Sequence, residues 1–225
     1  MNVPAPIAAV FGGSAARPGD PAYQEGEALG RLLAGQGFTV ATGGYIGLME
    51  AVSKGAAQGG GAVIGATCDQ IERWRGVRPN RWVERQVRYA TLRERLYGLI
   101  EMADVLIALP GGVGTLSELS VAWSLLQTQE IDLRPLILVG ATWRQMINLL
   151  AGAPGGFVRP GDVGLLAFAC DVQEAAQLAA SLAGRRGQQL ARQASRRSDR
   201  SPGGAGPIGG ERPSPPDATP GETTA

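Results

Sequence analysis

A chain of 225 residues that is 44% hydrophobic has enough apolar material for one globular domain with a core of its own. Its net charge of +1 gives no electrostatic case for a nucleic-acid or membrane partner. The absence of histidine excludes Ser-His-Asp and Cys-His catalysis and any His-ligated metal site, which leaves carboxylates, arginines, hydroxyls and backbone dipoles.

Ile7–Phe11 is a short apolar run ending at Gly12-Gly13-Ser14 and reads as a buried strand with a tight turn. Asp20 and Pro21 then open a helix as N-cap and first helical residue, with Ala28, Leu29, Leu32 and Leu33 on one face and Gly35 and Gly37 at its end. Phe38–Ala41 predicts a second strand, Thr42–Gly47 a glycine-rich turn, Leu48–Ala57 a helix and Ala62–Ala66 a third strand. Asp69–Arg88 is polar and arginine-rich, punctuated by Trp74, Trp82 and Tyr89, and supports no assignment. A helical period returns over Thr91–Met102, followed by a strand at Val105–Leu109 and a helix at Gly114–Leu126. Leu136–Val139 and Leu165–Ala169 read as strands, Trp143–Leu150 and Val172–Leu182 as helices. Strands alternating with helices imply a mainly parallel sheet covered on both faces, a Rossmann-like three-layer α/β/α domain over residues 1–184. Residues 185–225 are rich in Pro, Gly, Ser and Arg and poor in branched aliphatics, which predicts a disordered tail.

Cys68 and Cys170 are far apart and in no metal-ligand spacing, as expected of reduced core or near-core thiols in a cytoplasmic protein. No apolar run reaches membrane-spanning length, and Met1–Pro6 lacks the start of a signal peptide.

The segment that carries chemistry is Pro110–Glu118, at the end of the Val105–Leu109 strand. In a parallel sheet this turn lies at the carboxyl edge, where ligands bind. Gly111, Gly112 and Gly114 let the backbone approach an anion, and the amides and dipole of the following helix favour a phosphate there. Thr115 suits both a cap and a hydroxyl donor. Glu118, three residues on, shares its face and is either a first-turn acid that favours the dipole or a carboxylate aimed at a nucleotide sugar. Arg95 tips the balance. It stands about 10 Å up a helix that runs antiparallel to a strand rising about 17 Å, so it reaches the same sheet edge. A guanidinium there can clamp phosphate or hydroxyls, against the plainer reading of an arginine paired with Glu94, Glu101 or another acid. Gly13 with Ser14, and Gly44, follow the first two strands and offer a second wall and a hydroxyl. Trp74, Trp82 and Tyr89 are suited to stacking on a base or to packing at a helix or subunit contact.

With these residues in place, the chain resembles the LONELY GUY (LOG) family, often labelled lysine decarboxylase-like. The resemblance runs from about Ile7 to Leu182, through Val10–Ser14, Thr42–Val52, Leu92–Arg95 and the loop Pro110–Glu118. It implies a Rossmann-like homodimer that hydrolyses the N-glycosidic bond of nucleoside 5′-monophosphates, cytokinin riboside monophosphates or AMP-type nucleotides, to free base and ribose 5-phosphate. It implies Arg95 and Glu118 as catalytic residues, phosphate contacts from Gly112, Gly114, Thr115 and Ser14, and no metal or organic cofactor. The chain departs from the family pattern at Gly12, Glu50, Leu92-Arg93 and Leu96, which points to a divergent branch near nucleotide-binding and molybdenum-cofactor-carrier proteins. The alternative is therefore a non-catalytic nucleotide- or molybdenum-cofactor-binding carrier on the same fold. A lysine decarboxylase needs a Schiff-base lysine, and Lys54, the only lysine, falls on the exposed half of an ordinary helix.

Overall fold

The computed structural model describes residues 4–184; the tail predicted for 185–225 lies outside them. Seven parallel strands form one sheet in the order β4-β3-β2-β1-β5-β6-β7. They are β1 (Ile7–Phe11), β2 (Thr39–Thr42), β3 (Val63–Cys68), β4 (Arg85–Tyr89), β5 (Val105–Ala108), β6 (Leu136–Val139) and β7 (Leu166–Ala169). The helices are α1 (Pro21–Gly35), α2 (Leu48–Gln58), α3 (Asp69–Arg75), α4 (Leu92–Glu101), α5 (Val113–Gln127), α6 (Ala141–Ala151), α7 (Pro160–Val163) and a last one, α8, over 172–184.

Central strands are buried on both faces, so they read as continuous apolar runs rather than alternating ones. Their alternate residues nonetheless separate two cores. Ala8, Val10, Val40, Val105 and Ile107 pack under Leu29, Leu33, Leu48 and Val52 of α1 and α2 and Val172, Ala175 and Ala179 of α8. Ala9, Phe11, Ile64, Leu106 and Ala108 pack under Leu99 and Ile100 of α4, Leu119 and Leu126 of α5 and Trp143 and Ile147 of α6.

Four local expectations change. The unassigned segment holds α3 and the edge strand β4, which pairs with β3 along Ile64–Cys68. Asp20 is the N-cap of α1, but its carboxylate accepts from Arg17 N–H at 2.7 Å rather than from the helix. Cys68 is buried, whereas Cys170 is exposed. Lys54 pairs with Glu27 of α1, so it bridges two helices instead of pointing free into solvent.

Candidate active site

Strand order reverses between β1 and β5, so the chain leaves these neighbours toward opposite sides and a crevice opens at their carboxyl ends. The loops after β1 and β5 meet there. Gly13 N–H donates to Pro110 O at 3.2 Å, and a Cβ on Gly13 would stand 3.3 Å from Gly111 Cα. The loop after β2 locks onto the same point. Leu48 N–H donates to Gly13 O at 2.9 Å, and Gly47, at φ 75°, lies where a Cβ would come within 2.5 Å of Ser14 Cα. Glycine is required at that position by conformation and by contact.

A cavity of about 710 Å³ opens at this edge. Gly13, Ser14, Gly112, Gly114, Thr115, Arg95 and Glu118 all line it, so most of the expected site residues come together. Gly111 and Gly44 do not line it. Gly111 is glycine because a Cβ would collide with the Thr115 hydroxyl, and Gly44, at φ 77°, packs against Thr67 and Gly65 of β3. Thr115 is buried in the first turn of α5, but the N-cap is Gly112, which has no side chain to accept from that turn. The amides of Val113, Gly114 and Thr115 have no intrahelical acceptor by geometry, and they start a 15-residue helix whose positive end faces the cavity. A Cβ on Gly112 or Gly114 would meet no atom within 4 Å, and neither has positive φ. The fold itself makes no demand for glycine at these two positions.

Glu118 lies in the second turn of α5, beyond the reach of a first-turn dipole effect. Its side chain is 13% exposed and that of Arg95 is 6% exposed, with Arg95 Nη1 3.4 Å from Glu118 Oε1. Arg95 is fixed on its other sides. Its Nε donates to Ala66 O at 2.7 Å, its Nη2 lies 3.8 Å from Met49 Sδ, and its guanidinium is 5.9 Å from the centre of the Tyr45 ring. A Cβ on Gly43 would run into that guanidinium, so Gly43 is part of its seat. Gly43 belongs to the glycine-rich turn after β2 that the sequence offered as a second wall, whereas Tyr45 of that turn and Met49 in the first turn of α2 are neighbours of Arg95 that sequence reasoning missed. Tyr45 is itself anchored: its hydroxyl accepts from Cys68 N–H at 2.7 Å and lies 3.3 Å from Glu72 Oε1.

Burial pushes the Glu118 carboxyl above the usual carboxylate range, and the neighbouring Arg95 opposes the rise without cancelling it. The arrangement thus sets a helix N-terminus suited to an anion on the same cavity as a carboxyl whose proton affinity is raised and which is paired with a buried cation. Among the described residues there is no group of three or more His, Cys, Asp or Glu placed to hold a metal ion, and no helix is long and apolar enough to cross a membrane.

Fold and site define a parallel α/β protein with a ligand cavity at its topological switch point. A family model described as possible lysine decarboxylase matches residues 49–179, and the chain belongs to that family, the LOG family. The cytokinin riboside 5′-monophosphate phosphoribohydrolase of Mycobacterium tuberculosis is 30% identical over 154 residues, 65% of this chain and 79% of that protein. A structure solved by a structural genomics consortium overlays with a TM-score of 0.61 at 27% identity, over 77% of this chain and 97% of the other. The molybdenum cofactor binding protein of Rippkaea orientalis overlays with a TM-score of 0.61 at 25% identity, over 79% and 96% of the two chains.

Proposed function

We propose that this protein hydrolyses the N-glycosidic bond of a nucleoside 5′-monophosphate, a cytokinin riboside monophosphate or an AMP-like nucleotide, releasing the free base and ribose 5-phosphate. The observation that carries the reading is the ion pair of buried Arg95 with part-buried Glu118 in the same cavity as the α5 N-terminus. The 30% identity to a named phosphoribohydrolase supports it. The 5′-phosphate accepts from the first amides of α5 beside Gly112, Gly114 and Thr115, with Ser14 across the cavity. Glu118 orients the ribose hydroxyls and takes a proton from water as the water oxygen bonds to C1′. The C1′–N bond breaks, its electron pair stays on the base, whose nitrogen takes a proton from solvent water, and Glu118 gives the proton it took back to solvent. Arg95 holds Glu118 in place and contacts phosphate or ribose as charge shifts toward the leaving base. No metal or organic cofactor takes part. The label lysine decarboxylase does not suit this cavity, because Lys54 is engaged with Glu27 and does not line it. A homodimer in the cytoplasm belongs to the same proposal.

A second reading, a carrier that binds a nucleotide or molybdenum cofactor without turning it over, is favoured by the likeness to the Rippkaea orientalis protein. In that case Arg95 and Glu118 serve only to pin α4 to α5. Incubating the protein with AMP and with isopentenyladenosine monophosphate separates the two readings. Catalytic release of free base supports the hydrolase, and stoichiometric binding with no base released supports the carrier.

A further inference from the structure

Among the described residues, Trp74 is the largest of the strongly exposed apolar side chains, and the chain's own packing does not account for it. It sits on α3, is 75% exposed and lines the cavity. α3 has no buried residue, so this helix has no core face of its own. Ile71 and Trp74 are three residues apart, share one side of the helix and both border the cavity. One face of the indole is covered by Arg75, which also lines the cavity and whose guanidinium carbon is 4.7 Å from the ring centre. An indole backed by a cation on one face is held in orientation and leaves its other face for a planar group. Trp82 is also stacked by an arginine, Arg81, at 4.5 Å, yet it does not line the cavity.

We infer that Trp74 is the platform on which the fused-ring base of the bound nucleotide stacks, and so a specificity-determining residue of this site. The inference rests on the reading that the cavity takes a nucleoside 5′-monophosphate. One continuous cavity joins the α5 N-terminus and the Arg95–Glu118 pair to α3. Its volume of about 710 Å³ is that of a small-molecule site and leaves room for a base beyond the sugar phosphate. Stacking on an indole grows with ring overlap and is tolerant of base identity, so a purine gains more from Trp74 than a pyrimidine does.

The test uses calorimetric titration of the full chain with three probes that cannot lose a base by hydrolysis: formycin 5′-monophosphate and pseudouridine 5′-monophosphate, whose glycosidic bonds are C–C, and ribose 5-phosphate. W74L is expected to weaken formycin monophosphate about tenfold, weaken pseudouridine monophosphate less, and leave ribose 5-phosphate unchanged. W74F, which keeps a smaller aromatic ring, is expected to retain more of the purine affinity than W74L. W74Q, polar and non-aromatic at this exposed position, is expected to lose as much as W74L and carries the test should W74L not fold. Equal weakening of all three probes marks a structural role and overturns the inference. So does unchanged purine affinity in the non-aromatic variant, with or without a change in oligomeric mass, or a wild type that binds formycin monophosphate no better than ribose 5-phosphate. Binding of these probes requires no turnover, so a failure to release base from AMP removes the hydrolase reading and leaves this test intact.

Discussion

Glu118 is a largely desolvated carboxyl at the cavity wall with one cationic neighbour, Arg95, and its protonation couples to folding and, on the proposed reading, to activity. Between the ordinary carboxylate value and the raised one, the folded protein binds more protons than the unfolded chain. Unfolding free energy therefore falls as pH rises through that window. In Glu118→Gln this decline disappears, which urea unfolding across pH checks directly. If Glu118 acts as an ionised base, kcat/KM falls as pH drops through the same raised value, so the acid limb lies above the usual carboxylate range. Arg95 gives a second residue-scale prediction. A methyl on Gly43 displaces its guanidinium, so Gly43→Ala is expected to lower kcat by at least about tenfold, the scale on which misplaced catalytic groups are felt. Near-normal kcat in a folded Gly43→Ala protein contradicts this account of the Arg95 seat.

At the scale of elements, the N-terminus of α5 separates glycines needed by the fold from glycines that leave space. Gly111 packs against Thr115, whereas a side chain on Gly112 or Gly114 meets nothing. Gly114 is inside the first helical turn, where alanine is the better helix former by roughly 1 kcal/mol. Gly114→Ala is expected to raise thermal stability while weakening ribose 5-phosphate binding by about tenfold or more, as calorimetry of both quantities reports. A stabilised variant with unchanged affinity places the phosphate elsewhere. The glycine loop, the helical period that becomes α4, and the buried strands all have strong local signals, and they were legible in the sequence. α3 and β4 were not. α3 buries no residue and so has no apolar period. β4 is an edge strand, Arg-Gln-Val-Arg-Tyr, in which only Val87 and Tyr89 turn toward the core, so its composition reads as a solvated loop. Trp74 stood out as an aromatic suited to stacking, but without α3 assigned its place on the cavity wall was not legible.

At the scale of the whole molecule, what positions the site is the reversal of strand order. It brings the loops after β1 and β5 together and draws in the β2 loop through Leu48 and Gly47. The alternation of strands and helices foretold the parallel sheet, and helix and strand rises sufficed to bring Arg95 to the edge where Glu118 lies. They could not tell that Arg95 would be buried against Glu118, because its burial depends on Met49, Tyr45 and Gly43 converging from a separate crossover. The central claim is that the Arg95–Glu118 pair performs chemistry on a nucleotide held by α5. Its most direct test is free base released from AMP and isopentenyladenosine monophosphate by wild type and by Glu118→Gln, with binding of formycin 5′-monophosphate measured on the same samples. The account predicts release slowed by at least about a hundredfold with binding kept within a few-fold. Equal rates of release in the two proteins, or no release by wild type, would contradict it.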